Sequence, residues 1–245
     1  FNTTKTLPYE GTDTEFLGYI DTHSSSKIVA MFKDSNELKE LKEGDEAILI
    51  LDKSPFYAES GGQIGDSGYI KTKDAKFYVQ DTIKIKKNVF GHSGVLESGS
   101  LKCNEQVEAL IDEHRRNDIK RNHSVTHLLH KALKIVLGDH VEQKGSLVDN
   151  LKTRFDFSHI KPISKEEIQQ IESIVNNEIL TNKVTTTEMM SIDKAKESGA
   201  LMLFGEKYDS KVRVLNIGNS IELCGGTHVS NTGDIGLFKI YSETS

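Results

Sequence analysis

His123-Ser-Val-Thr-His127 lies inside a long stretch of helical periodicity, and its reading decides what the second half of the chain builds. Two histidines four apart on a helix stand one turn above the other on one face, so both imidazoles reach a single ion. Far along the chain, Cys224-Gly-Gly-Thr-His228 again sets two soft ligands four apart. Gly225 and Gly226 are expected to let the backbone reverse and bring that thiol and imidazole to one point. One H-x-x-x-H pair alone is also how solvent-facing histidines fall by chance. The second pair carries the argument, because one thiolate and three imidazoles select zinc over harder cations. The expected ligands are therefore His123, His127, Cys224 and His228. His130 lies about 10 Å of helix rise from His123, whereas nitrogens around one zinc sit within about 4 Å of each other. It is expected to cover a helix face.

Outward from this motif, the helical pattern runs from Glu105 to Leu137, with Val107, Leu110, Ile111, Ile119, Val125, Leu128, Leu129, Ala132, Leu133 and Val136 on its buried side. Gly138 stops it. Gln143 to Val148 and Lys152 to Phe157 read as strands joined at Asp149-Asn150. Ser164-Lys-Glu-Glu167 is a capping box opening a helix to about Asn182. Val184 to Met189 reads as a strand and Ile192 to Glu197 as a short helix ending at Gly199. Val212 to Ile217, Ile221 to Leu223 and Gly236 to Tyr241 complete the strands.

Before the long helix, short β-favouring runs recur: Phe16 to Ile20, Ser26 to Phe32, Glu46 to Leu51, Gly68 to Lys71, Phe77 to Ile85 and Gly91 to Leu96. Turn residues punctuate them at the spacing of a small barrel. Glu37 to Lys42 fits one helical turn. The fold expected is α+β: a small N-terminal β-barrel over residues 1–100, then an antiparallel-sheet-plus-helices core over residues 101–245. A composition shift at Ser98-Gly-Ser-Leu-Lys102 marks the boundary. Within the barrel, Ser54-Pro-Phe-Tyr-Ala-Glu-Ser-Gly-Gly-Gln-Ile-Gly-Asp66 offers consecutive glycines that could approach a phosphate or form an anion-binding nest. A turn at the barrel rim accounts for the same composition. No G-K-[ST] follows, so it is not a Walker loop.

The formal net charge of −6 does not mark a nucleic-acid binder. Any RNA contact must be local, and Arg115, Arg116, Lys120 and Arg121 are the candidates. Asp112, Glu113 and Asp118 interleave with them, as on a solvated helix face. The 2 cysteines, one of them an expected metal ligand, argue against a disulfide framework and for a reducing compartment, and the expected localisation is cytoplasmic. No apolar run approaches the ~18 residues of a membrane span, and no signal peptide is visible. A start at Phe1 rather than Met suggests an excised piece of a larger protein.

Six stretches resemble the editing region of alanyl-tRNA synthetase: Phe56-Tyr-Ala-Glu-Ser-Gly-Gly-Gln63, Asn122-His-Ser-Val-Thr-His-Leu-Leu-His130, Gln143-Lys-Gly-Ser-Leu-Val148, Arg154-Phe-Asp-Phe-Ser158, Leu203-Phe-Gly-Glu-Lys-Tyr208 and Glu222-Leu-Cys-Gly-Gly-Thr-His228. They span most of the chain in the family's order. Stand-alone alanyl-tRNA editing proteins share the Gly-Gly-Gln and metal motifs, whereas Thr14-Glu-Phe-Leu-Gly-Tyr19 looks more like the synthetase. Val125 stands where the family motif has Ala, and Ser54 where Thr is common; neither removes a group the chemistry needs.

The resemblance implies a zinc-containing fragment of the synthetase that hydrolyses Ser-tRNA(Ala) and Gly-tRNA(Ala) at the acceptor end. The remaining synthetase domains would be its partners, and no membrane would be involved. An alanine pocket cannot exclude glycine by size, and one hydroxyl gives a hydrophobic site only ~10²-fold rejection. Because serine is larger than alanine and glycine smaller, the second site must recognise chemistry rather than size.

Thr126, Gln143 and Cys224 are the candidate catalytic residues. Thr126, between the two helix histidines, is expected to read the serine side chain; its plainer role is a hydroxyl bonded to its own i−4 carbonyl. Gln143 is expected to orient the ester, the amino group or a water, with Ser146 a weaker candidate on the same strand. Gly61, Gly62 and Gln63 are candidate tRNA contacts, with the four basic residues above. Asp156, His159 and Glu206 are polar but carry no assigned role. Four protein ligands make a closed site of the structural type, while a catalytic zinc keeps a position open. A non-catalytic, zinc-stabilised tRNA-binding module is the alternative, and a zinc hydrolase of another substrate a further one.

Overall fold

Side chains of His23–Lys33 (β1) alternate between buried and exposed along much of their length, as a barrel wall requires. The computed structural model describes residues 7–202 and 209–244. It divides into two compact units, Phe1–Ser60 with Ile64–Arg116, and Gly61–Gln63 with Asn117–Ser245.

In the first unit β1 is joined by Glu46–Leu51 (β2), Gly68–Lys71 (β3), Lys76–Lys86 (β4), Val89–Ser98 (β5) and Gln106–Ile111 (β6). The order is β6-β3-β4-β5-β2-β1, and β6 pairs with β1 as well, so six antiparallel strands close a barrel. Closure removes the unpaired edges an open sheet would carry. Ile28, Leu49, Leu51, Ile70, Phe77 and Leu96 fill it together with Val107, Ala109 and Ile111.

Those last three residues correct the expected helix from Glu105. Over so short a span Val107, Leu110 and Ile111 fit a helical face, yet Val107, Ala109 and Ile111 fit a strand equally well. Barrel closure decides for the strand. The helix (α1) runs over Glu113–Leu137. Asp112 caps it, its Oδ1 accepting from Arg115 N at 3.0 Å. Two further expectations fail. Glu37 to Lys42 is not a helical turn but parts of two short strands, Asn36–Leu38 and Glu40–Lys42. Of Phe16 to Ile20 only Phe16 is in a strand, in Glu15–Phe16, which pairs with Lys53–Ser54.

Arg116 is 1% exposed and organises the glycine-bearing loop. Its Nε donates to Asp66 Oδ1 at 3.0 Å and Oδ2 at 2.9 Å, and its terminal nitrogens donate to Gly18 O at 2.7 Å and Pro55 O at 2.9 Å. Asp66 Oδ2 also accepts from Tyr57 N at 2.8 Å. The guanidinium is thus spent inside the protein, where a phosphate does not reach it.

In the second unit α1 packs Val125, Leu128, Ala132 and Leu133 against Ile171, Val175 and Ile179 of Lys165–Leu180 (α2), which Ser164 opens with the expected capping box. Gln143–Val148 (β7) and Thr153–Phe157 (β8) form a hairpin. Thr186–Ser191 (β8's successor, β9), Lys211–Ile217 (β10) and Ser220–Leu223 (β11) make a three-stranded antiparallel sheet, with the short helix Ile192–Glu197 (α3) after β9. Gly138 ends α1 at φ 118°. Gly236 to Tyr241 is not a strand. Its backbone is served by α2 side chains instead: Phe238 N donates to Asn176 Oδ1 at 2.9 Å and Ile240 N to Glu172 Oε1 at 2.8 Å. Leu203 to Tyr208 lies outside the described residues. The α+β class holds, a barrel followed by small sheets and helices.

Candidate metal centre

His123 and His127 project from one face of α1 with stacked rings, their centroids 5.3 Å apart. Cys224 and His228 stand on the loop that leaves β11. One ligand atom from each of the four lies within 4.8 Å of every other, the one such group of three or more among the described residues. Cys224 Sγ is 3.4 Å from both His123 Nε2 and His228 Nε2, and His127 Nε2 is 3.2 Å from His228 Nε2. An ion bonded tetrahedrally at about 2.0–2.1 Å to nitrogen and about 2.3 Å to sulfur separates its ligand atoms by about 3.3–3.6 Å. The set therefore fits a metal ion, with all three imidazoles presenting Nε2.

What holds those rings was not visible in the motif. Gln63 is fully buried; its Oε1 accepts from His123 Nδ1 at 2.7 Å and from Thr227 N at 3.0 Å, while its Nε2 donates to Thr227 Oγ1 at 2.9 Å. Glu222 Oε2 lies 3.2 Å from His127 Nδ1. His228 Nδ1 is buried with no partner, so this ring is the least restrained of the three. The loop itself is pinned: Arg213 donates to Cys224 O at 3.0 Å and Gly226 O at 3.1 Å, and Val229 N donates to Ser124 Oγ on α1 at 3.0 Å. Gly226 N also points at Cys224 Sγ, 3.5 Å away. Gly226 has to be glycine for lack of space rather than for backbone freedom. A Cβ there would strike the His123 ring and press on Gln63 Oε1.

The electrostatics suit a cation. Burial opposes ionisation of Cys224, but His123, His228 and His127 beside it hold its thiol well below the usual range. Burial pushes His228 down to about 3, leaving a neutral imidazole. Burial also works against a charge on Glu222, yet the His127 charge and the hydrogen bonds from His127 and His130 bring it down to about 2. Burial pulls His127 down too, but the Cys224 thiolate and Glu222 carboxylate outweigh it and raise it to about 10. Cys224 Sγ thus faces the inward Nε2 atoms while Glu222 stands behind His127 at Nδ1; a proton on His127 offsets this negative charge, and a metal cation would take that part.

The other candidates divide. Thr126 Oγ1 donates to Asn122 O at 2.9 Å, its i−4 carbonyl, and meets Thr153 Oγ1 at 2.8 Å. Gln143 opens β7 opposite Phe157, and Ser146 faces Phe155. Gly61, Gly62 and Gln63 belong to the second unit, where Gly62 O accepts from Val148 N at 2.8 Å. Gly62, at φ 84°, leaves no room for a side chain against Ser146 O. Of the candidate RNA contacts, Gln63 is buried with its amide engaged at both ends and Arg116 is buried with its guanidinium engaged. Arg115 donates to Gly65 O at 2.9 Å, Arg121 pairs with Asp118, and Lys120 is half-buried. Asp156 pairs with Arg154 at 3.0 Å, and His159 Nδ1 meets His140 Nε2 at 2.9 Å. Glu206 lies outside the described residues. His130 is not on an open face: it is 5% exposed, with Nδ1 3.1 Å from Glu222 Oε1.

Two sequence profiles match the chain: "tRNA synthetases class II (A)" over residues 2–115, and "Threonyl and Alanyl tRNA synthetase second additional domain" over residues 212–245. The alanine–tRNA ligase of Delftia acidovorans is 55% identical over 243 residues, covering 99% of this chain and 28% of the relative. That of Polynucleobacter asymbioticus is 55% identical over 244 residues with the same coverage, and that of Methylobacillus flagellatus 54% identical over 244 residues, 100% of this chain and 28% of the relative. Nearly every residue of the chain aligns, to little more than a quarter of each relative. By sequence, then, the chain belongs to the alanine–tRNA ligase family, as the part of it that reaches into the second additional domain.

Proposed function

We propose that this chain carries a hydrolytic editing site, which removes serine and glycine wrongly attached to tRNA(Ala) by cleaving their ester to the terminal adenosine. The observation that carries the reading is the convergence of His123, His127, Cys224 and His228 within 4.8 Å, in a chain whose relatives are alanine–tRNA ligases. The mixed thiolate and imidazole donors favour zinc as the ion. Zinc held there would supply Lewis acidity toward an ester carbonyl. His123 and His127 are fixed from behind by Gln63 and Glu222, while His228 has no such support. That asymmetry favours a site in which His228 is the ligand most able to yield.

Recognition of serine falls to the Thr126–Thr153 hydroxyl pair, which glycine, having no side chain, leaves undisturbed. Thr126 gives its proton to Asn122 O, so it accepts from Thr153. A serine hydroxyl can replace that donor, whereas a methyl in the same place leaves a hydroxyl unserved. Gln143, at the mouth of the same hairpin, would orient the amino group or the ester. With a net charge of −6, most of the affinity for tRNA would reside in other parts of a full-length ligase. A cytoplasmic setting follows from the substrate.

Deacylation of Ser-tRNA(Ala), Gly-tRNA(Ala) and Ala-tRNA(Ala) by the zinc-loaded chain tests this. Release of serine and glycine with alanine retained is expected. Equal persistence of all three esters would leave a metal-stabilised tRNA-binding module. Cleavage of simple esters without tRNA would point to a different hydrolase.

A further inference from the structure

Glu222, the carboxylate behind His127, is 4% exposed, and its contact with His130 has no part in the chemistry above. It lies on β11, two residues before Cys224, and both of its oxygens are occupied. Oε2 is 3.2 Å from His127 Nδ1; Oε1 is 3.1 Å from His130 Nδ1 and accepts from Ser220 Oγ at 3.2 Å. His130 sits on α1 one turn beyond His127, its ring 5.2 Å from that of Phe155. Its Nε2 is buried without a partner. A buried imidazole with one orphaned nitrogen costs stability, so the nitrogen that is engaged should account for its presence.

We propose that Glu222 is a positioning residue for the metal, turning His127 so that Nε2 faces the ion, and that His130 holds Glu222 in that pose. The inference rests on the metal reading above. A carboxylate behind a ligating histidine fixes its tautomer and raises its basicity, and loss of such a partner typically costs 10–100-fold in metal affinity. Two N–H donors, from His127 and His130, share one carboxylate. An amide serves both only if His130 changes tautomer, accepting at Nδ1 and burying an unpaired Nε2–H; otherwise the two imidazoles compete for its one oxygen.

The test is zinc affinity by competition with a chromophoric chelator, with circular dichroism of the metal-stripped proteins as the fold control. Glu222→Gln is expected to bind zinc about 10–100-fold more weakly than wild type. His130→Phe, which keeps the carboxylate, weakens it by a smaller factor. In the double variant the amide oxygen is free for His127, so zinc is held more tightly than by Glu222→Gln alone. This sign-reversing coupling is one that a merely structural loss would not produce. Unchanged affinity in Glu222→Gln, or a double variant weaker than that single one, overturns the proposal. Wild type that takes up no zinc overturns the metal reading itself, and this inference with it. If Glu222→Gln does not fold, the loss of affinity expected in His130→Phe decides, and unchanged binding there overturns the proposal.

Discussion

Two buried histidine environments, one in each unit, show how the same side chain comes to opposite uses. In the barrel His92 is fully buried, with Nδ1 2.8 Å from Leu49 O and Nε2 2.7 Å from Ser54 Oγ. Both nitrogens are served, the proton on Nδ1 and the lone pair on Nε2, and burial holds the group neutral at about 4. Nothing is left over to bind anything. In the second unit the rings of His123 and His127 are equally enclosed, but only their outer nitrogens meet protein partners of fixed role. Their Nε2 atoms face Cys224 and His228, which are themselves metal donors. Burial alone does not separate a structural histidine from a ligand. The fate of the second nitrogen does.

The largest effect should come from Cys224→Ala, which removes the thiolate that the inward nitrogens face. Metal analysis should fall from one zinc per chain to nearly none, and deacylation should disappear with it. Full zinc occupancy in that variant would break the contrast at its root. Next comes the pH response of His92. Its folded pKa, about 4, lies below the ordinary 6.5, so its stabilisation is complete above pH 6.5 and is lost as pH falls through 4. At order of magnitude this is about 3 kcal/mol. Urea unfolding of wild type and His92→Gln should differ most at pH 7 and converge near pH 4; a constant difference would mean that His92 is not held neutral.

Gly226→Ala should cost about 1–3 kcal/mol through the clash with the His123 ring, read as weaker zinc binding with the barrel's own unfolding unchanged. Wild-type affinity would show that the loop has slack. Smallest is Thr126→Val, worth about 1 kcal/mol. Serine-over-alanine discrimination in deacylation should fall by roughly fivefold while zinc stays bound. Preserved discrimination would move recognition away from the Thr126–Thr153 pair.

How much of this was legible in the sequence follows from distance along the chain. The metal ligands could be read because each pair is local, four residues apart, and its geometry needs no knowledge of the fold. Their supporting residues could not: Gln63 is 60 positions from His123, and Glu222 is 92 from His130. In the sequence Gln63 is part of a glycine-rich turn and Glu222 the flank of a motif, and neither local pattern marks a partner for histidine. The barrel strands were legible where alternation ran long, as in β1, β4 and β5. Over Gln106 to Ile111 six residues could not separate period 2 from period 3.6. There Asp112, whose side chain accepts from Arg115 N, is the residue that marks the helix start. Gly236 to Tyr241 has strand-like composition, but side chains of α2 satisfy its backbone, and no local pattern announces that.

The three residues Gly61–Gln63 group with 117–245 although the chain on either side of them does not. A recombinant piece beginning at Asn117 would therefore lack Gln63, leaving the Nδ1 proton of His123 and the amide of Thr227 with no acceptor. Excision along that seam would leave the His123 imidazole poorly aimed, and a loss of metal affinity in such a piece would trace to Gln63 rather than to the barrel.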